Sequence, residues 1–308
     1  MTGTVRLGAR GSKLALCQAE WVAAQLGRNG AAVTIEVVKT RGDAEIDRPL
    51  HQLEGKGFFT KEIEDALLDG RIDVAVHSLK DLPTSLPGGL ALGAVPRRAD
   101  PAEALVTRDP RVSSVSGLAP SAAVGTSSLR RVAQLRYLRP DVVIVALRGN
   151  VPTRIQKVRD GRDGLQAALL ATAGLERLEL AHEIAVRLDP LEIMPAPGQG
   201  ALGLEVRADD ARCRAILAPL DDAVSARQIA AERGLLAALG GGCQAPVAAY
   251  VGMRDAGSGM RLYGRVTAHD GSVQITASAD IEERDPAAAG VRVADLLKAQ
   301  GASKLLGR

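Results

Sequence analysis

One arrangement occurs twice in this sequence and limits the folds open to it: a short strand pattern, a loop of small polar residues, and a helix pattern that starts on a serine. In the first copy Val5, Leu7 and Ala9 alternate as a strand. Arg10-Gly11-Ser12 follows, and Ser12 caps a helix whose apolar positions include Leu14, Cys17, Trp21 and Val22. In the second copy Val124 leads through Gly125-Thr126-Ser127-Ser128 into a helix that runs through Leu135. Residues 34–38 and 73–77 read as further strands around a helix at 59–68 that stops at Gly70. Residues 142–147 and 167–171 do the same after the second copy, with Arg148-Gly149-Asn150 and another helix between them. Such alternation predicts parallel α/β sheets, and the restart near Asp100-Pro101 predicts two related lobes.

The rest of the chain changes character. Residues 195–200, Pro-Ala-Pro-Gly-Gln-Gly, read as a crossing back to the first lobe, followed by a strand at 202–206. A helix at 223–239 ends in Gly240-Gly241-Gly242-Cys243. Alternating patterns at 247–251, 261–268 and 273–281 and a helix at 287–299 predict a small α+β domain. The expected partition is 1–98 with 199–219, then 99–198, then 220–308.

Composition narrows the function. Aromatic residues are 2% of the chain, so the cores are built from Leu, Val, Ile and Ala, and stacking platforms for single-stranded nucleic acid are scarce. The formal net charge is +3, so any anion site is a local cluster. Cys17, Cys213 and Cys243 form no C-x-x-C pair, which argues against a disulfide framework or a zinc ribbon. The N-terminal residues lack a signal-peptide pattern, and no run reaches the ~18 apolar residues of a membrane span. The expectation is a reduced, cytoplasmic protein with no membrane and no nucleic-acid partner.

Several motifs carry chemistry. Arg10-Gly11-Ser12 joins a strand to a helix start, where amides and a guanidinium attract anions. Taken alone it reads first as an ordinary cap beside a solvated arginine. Thr126-Ser127-Ser128-Leu129-Arg130-Arg131 repeats the arrangement, and Arg148, Arg154 and Arg177 also follow strand patterns. Together they suit a ligand with several carboxylates; singly, each passes for a surface arginine. In His77-Ser78-Leu79-Lys80-Asp81-Leu82-Pro83, Asp81 is either a turn residue or a carboxylate beside Lys80 that faces a cleft and stabilises a cation. Lys56 sits in a glycine-punctuated loop that is not a Walker A loop, because Gly57 follows the lysine. Gly198-Gln199-Gly200-Ala201-Leu202-Gly203 matches G-x-G-x-x-G but leads into a strand, which excludes a dinucleotide loop. The histidines form no metal cluster, so no metal is expected. Cys243 on its glycine loop is the candidate for covalent chemistry, though on spacing alone it reads as an ordinary loop cysteine.

In order along the chain, ARGSKLALCQ, KTRGD, GKGFFTKEIEDALL, DVAVHSLKDLP, VGTSSLRR, LRGNVPTR, AGLERL, PAPGQGALG and GGGCQAPV resemble the porphobilinogen deaminases. The resemblance spans essentially the whole chain. It implies two lobes like those of type II periplasmic binding proteins and a third domain bearing the cofactor cysteine. It implies a transferase of heme and tetrapyrrole biosynthesis that deaminates and polymerises four porphobilinogens into hydroxymethylbilane. It further implies a dipyrromethane cofactor in thioether linkage to Cys243, with Asp81 and Lys80 catalytic. Lys56, Ser78, Asp81, Thr126, Ser127, Ser128, Arg130, Arg131 and Arg154 would hold the cofactor, and Arg10, Ser12, Phe59, Arg148, Arg177 and Gln199 the substrate. A monomer that hands its product to uroporphyrinogen III synthase is the implied state. The chain departs from the pattern at Gln52, where some relatives have lysine, and at Gly164-Leu165-Gln166, where an acidic-aromatic stretch is common.

Two other classes remain as comparisons. A binding module that only captures an anion fits the two lobes but not the cysteine-bearing third domain. A nucleic-acid-binding protein fits the arginines but not the near-neutral charge and few aromatics.

Overall fold

The computed structural model describes residues 3–40, 60–240, 246–253 and 259–307. Within these the strands are β1 Val5–Arg10, β2 Val33–Val38, β3 Val74–Ser78, β4 Leu90–Ala94, β5 Glu103–Thr107, β6 Ala123–Gly125, β7 Val143–Val145, β8 Ala167–Ala171, β9 Val186–Arg187, β10 Leu202–Arg207, β11 Val247–Met253, β12 Met260–Thr267 and β13 Gln274–Asp280. The helices are α1 Lys13–Arg28, α2 Lys61–Leu68, α3 Leu129–Leu138, α4 Val151–Arg159, α5 Thr172–Arg177, α6 Ala211–Leu217, α7 Ala223–Ala238, α8 Pro286–Ala299 and α9 Ala302–Leu305. The chain divides into two compact units, residues 1–99 with 200–226, and residues 100–199 with 227–308.

The first unit holds one sheet in the order β2-β1-β3-β10-β4. β1 runs parallel to β2 and β3, whereas β10 is antiparallel to β3 and β4. The purely parallel sheet expected from the alternation is therefore mixed. Its reversed strand enters only after the chain has returned at residue 200. The core joins Val5, Leu7 and Ala9 to Val22 and Leu26 of α1 and to Leu202, Leu204 and Val206. Trp21, expected on the apolar side of α1, is 43% exposed, and Cys17 is half-buried; α1 packs through Gln18, Ala19, Val22 and Leu26 instead.

The second unit contains the same topology again. Its first sheet has the order β7-β6-β8-β5-β9, with β6 parallel to β7 and β8, and β5 antiparallel to β8 and β9. Both lobes thus follow the order 2-1-3-n-4 with strand n reversed, which is the type II binding-protein arrangement. β4, β5 and β9 escaped the reading of the sequence, because short runs such as Glu103–Thr107 show no alternation.

A second sheet of this unit, β11-β12-β13, is antiparallel throughout and packs on α7 and α8 through Leu235, Val251, Leu262, Val266, Val293 and Leu297. Buried Arg265 on β12 ties it to the α/β sheet's own layer, donating to the Gln134 side chain at 2.9 Å and to the carbonyls of Leu191 and Glu192 at 2.7 and 2.9 Å. Among the described residues no helix is long and apolar enough to cross a membrane.

Candidate active site

In the first unit the C-terminal ends of β1 and β3 deliver side chains to one pocket. It is lined by Arg10, Ser12, Leu14, Ala15, Gln18, Thr60, Val76, His77, Ser78 and Asp81. Ser12 adopts the extended backbone of a helix cap and accepts from the Ala15 amide at 3.2 Å. Four of the expected residues, Arg10, Ser12, Ser78 and Asp81, therefore meet there. Asp81 closes a single 3-10 turn, Leu79–Asp81, that also carries Lys80. That turn is pinned from below: Leu79 is fully buried and its amide donates to the Ala201 carbonyl at 3.0 Å.

Gln18 is a site residue the reading of the sequence passed over. It is 2% exposed, and its amide nitrogen donates to Ser78 Oγ at 3.0 Å. The signal was a polar side chain on the inward face of an amphipathic helix, which is rarely left without a partner.

In the second unit the corresponding loops follow β6 and β7. The Ser127 hydroxyl donates to the Leu147 carbonyl and accepts from the Leu147 amide, both at 3.0 Å, so the two loops are stitched together. Asn150 caps α4 by accepting from the Thr153 amide at 2.9 Å. Arg154 Nε donates to the Gly149 carbonyl at 2.7 Å, and Lys157 to the Arg148 carbonyl at 3.1 Å. Thr126, Ser127, Ser128, Arg148 and Arg154 are thus gathered at one set of strand ends.

Arg130 and Arg131 lie deeper. Each is 6% exposed, and the two grip the two oxygens of Glu103 on β5, each at 2.6 Å. Arg130 adds the Met194 carbonyl at 2.6 Å and Arg131 the Leu169 carbonyl at 3.0 Å. Burial pushes the Arg130 guanidinium below its ordinary value, against the pull of Glu103. Among the described residues the buried Arg131 Nε has no hydrogen-bond partner. Glu103 was invisible as a partner in the sequence because it precedes the arginines by more than twenty-five positions.

Arg177 ends the short α5 and is half-buried. Gln199 is fully buried between Gly198 and Gly200, whose φ values of +78° and +84° only glycine adopts without strain. Its side-chain nitrogen donates to the Pro101 carbonyl at 2.8 Å. Gln52, Lys56, Phe59 and Cys243 lie outside the described residues. Among the described residues no group of His, Cys, Asp or Glu could hold a metal ion.

Guanidiniums and hydroxyls at strand ends bind carboxylates, and one carboxylate at the pocket can balance a cation. Residues 5–215 match the family described as porphobilinogen deaminase, dipyrromethane cofactor binding domain, and residues 226–299 match its C-terminal domain. A porphobilinogen deaminase of Syntrophotalea carbinolica is 46% identical over 309 aligned positions, covering 99% of this chain and 96% of the relative. One from Roseiflexus sp. is 46% identical and covers 99% of each. Among solved structures, an ABC-transporter periplasmic substrate-binding protein from Coxiella burnetii aligns with a TM-score of 0.42 at 16% identity, covering 73% of this chain and 96% of that one. A YaeC-family lipoprotein from Enterococcus faecalis aligns at 0.40 and 12%, covering 70% and 90%. These last two add nothing to the strand orders given above. With both family segments matched in order and relatives this similar end to end, the chain belongs to the porphobilinogen deaminase family.

Proposed function

We propose that the pocket holding Asp81 is the reacting centre and that the loops after β6 and β7 hold the acid side chains of the oligopyrrole. The chain is a transferase of tetrapyrrole biosynthesis that joins porphobilinogens on a dipyrromethane cofactor and releases hydroxymethylbilane. The observation that carries the site reading is the convergence of Arg10, Ser12, Ser78 and Asp81 on one pocket at the ends of adjacent strands.

Porphobilinogen bears an acetate and a propionate. Arg10 and the Ser12 hydroxyl offer N–H and O–H donors to such groups, and a guanidinium binds a carboxylate through two parallel hydrogen bonds. Loss of ammonia leaves an electron-poor azafulvene with positive charge near its pyrrole nitrogen. The Asp81 carboxylate offsets that charge, accepts from pyrrole N–H and takes up or returns the proton that accompanies ammonia. Lys80 on the same turn supplies a cation beside it.

The residues of the second unit suit a polycarboxylate: Thr126, Ser127, Ser128, Arg148 and Arg154 bring donors together, whereas Arg130 and Arg131, assigned to the cofactor on the order of the family strings, are buried against Glu103. When bound through its thioether, the dipyrromethane supplies the free α-carbon of its terminal pyrrole as nucleophile. Cys243 as the attachment point, and Lys56 and Phe59 beside it, rest on the order of the family strings. Arg177 and Gln199 are assigned to substrate on the same ground.

Three domains, 1–98 with 199–219, 99–198 and 220–308, are supported by the three sheets and their separate cores. A cytoplasmic monomer that passes its product to uroporphyrinogen III synthase completes the reading. The test is intact mass with activity. The purified protein is expected to carry the added mass of two pyrrole units, lost in Cys243→Ser. Asp81→Ala should keep that mass and lose about 100-fold or more in kcat. An active wild type of unmodified mass, or an Asp81→Ala enzyme with normal turnover, overturns it.

A further inference from the structure

Behind the pocket lies a group of buried titratable side chains that the proposed chemistry leaves unused. His77 on β3 is 5% exposed, Glu205 on β10 is fully buried, and their Nε2 and Oε2 atoms are 2.9 Å apart. Glu64 of α2, 6% exposed, faces the pair, and burial together with the charge of Glu205 pushes its carboxyl up. Among the described residues Glu205 Oε1 is buried with no hydrogen-bond partner, and Thr60 lies beside the Glu64 carboxyl. Thr60 and His77 line the same pocket as Asp81 and Ser78.

An arrangement like this works against stability. A buried ion pair is often replaced by apolar residues at no loss, and an unpartnered buried oxygen is a net cost to folding. Its neighbours on the same face of the sheet, Ala75 on β3 with Ile63, Ala66 and Leu67 of α2, show that apolar residues suit this layer. Its placement is informative. β10 grips β3 in the register Leu202 to Ser78, Gly203 to His77 and Leu204 to Val76. Leu79 packs over Gly203, where an added Cβ would meet its Cδ1 at 3.0 Å. The strand that carries Glu205 is thus the one that holds the turn bearing Asp81.

We propose that the Glu205–His77 pair is a positioning unit for that turn: His77 Nε2–H donates to the Glu205 carboxylate and locks the end of β3 so that Ser78 and Asp81 face the pocket. The proposal rests on the reading of Asp81 as the reacting carboxylate. Glu205 and His77 act through Asp81 and Ser78 rather than on the substrate.

The test uses the full-length, cofactor-loaded enzyme with porphobilinogen. Glu205→Gln and His77→Leu are expected to lower kcat by about tenfold or more while KM moves less than about twofold, with the cofactor mass retained. His77→Gln, whose amide can still donate to Glu205, should recover part of that loss. The four histidines, His51, His77, His182 and His269, make the ring protons assignable. In the wild type His77 should show a downfield Nε2 proton in slow exchange with solvent. Unchanged kcat in both variants, whatever their melting temperature, overturns the proposal. If the variants fail to fold or load, absence of the slow Nε2 proton in the wild type overturns it and its presence supports it. The two readings fail separately: full turnover in Asp81→Ala sinks the assignment of the carboxylate, whereas normal His77 and Glu205 variants beside an inactive Asp81→Ala sink only the positioning role.

Discussion

At the scale of single residues, several buried charges among the described residues are met by an opposite charge. Glu103 balances two guanidiniums at once. Glu103→Gln removes the only negative charge in that ion triad and leaves two buried cations facing each other. Removing one member of a buried pair costs about 3–5 kcal/mol, and urea unfolding should show a loss of that size. A loss under about 1 kcal/mol would mean that water or another anion already screens the arginines. Asp73 tests the opposite, acid-dependent case. Burial works to raise its carboxyl, but the Arg6 side chain, donating at 2.8 and 3.0 Å, the Arg6 amide and Arg207 outweigh it and hold the group below the ordinary carboxylate value. A carboxyl lowered in the folded state contributes stability that is complete above its unfolded pKa of about 4 and is lost as pH falls through the folded value. Chemical unfolding measured between pH 5 and 2 should therefore flatten in Arg6→Ala relative to the wild type; parallel curves would show that Asp73 is not linked to folding.

At the scale of elements, close approach is written into small residues. An added Cβ on Gly290 of α8 would run into the backbone of Ala231, Gly234 and Leu235 on α7, and one on Gly234 would come within 2.8 Å of the Ala287 carbonyl. These helices touch through their backbones, so there is no flexible side chain to move aside. Gly290→Ala gains helix propensity but must push the helices apart, and overpacking of this kind costs about 1–3 kcal/mol. A midpoint shifted to lower urea is expected, and a stabilised variant would show that the helices can separate freely. The long, periodic helices α1 and α8 were legible from the sequence because a 3.6-residue period over fourteen or more residues is hard to mimic. β4 and β5 were not, since their residues show no alternation, and β9, of two residues, is too short to have one.

At the scale of the molecule, each lobe borrows its reversed strand from across a chain crossing: β10 enters the first sheet after residue 200, and β5 enters the second just after residue 100. The loops that carry Arg148 and Arg154 sit on a scaffold closed by that borrowed strand. If they handle the lengthening chain of carboxylates, Arg148→Ala should still accept the first porphobilinogen but accumulate partial chains on the enzyme, visible as discrete intact masses. A distribution matching the wild type would remove Arg148 from elongation.

The sequence alone determined the paired strand–loop–helix units, the antiparallel C-terminal sheet and the family, because local period, capping residues and string order are properties of neighbours along the chain. It also placed Arg10, Ser12, Ser78 and Asp81 at strand ends, without showing that they share a pocket. Only the tertiary structure decided that Arg130 and Arg131 are buried against Glu103, that Gln18 braces Ser78, and that His77 meets Glu205 across 128 positions of chain. Those facts depend on which strand lies next to which. Strand order is set by the burial of whole faces, summed over the fold, and no local pattern encodes it.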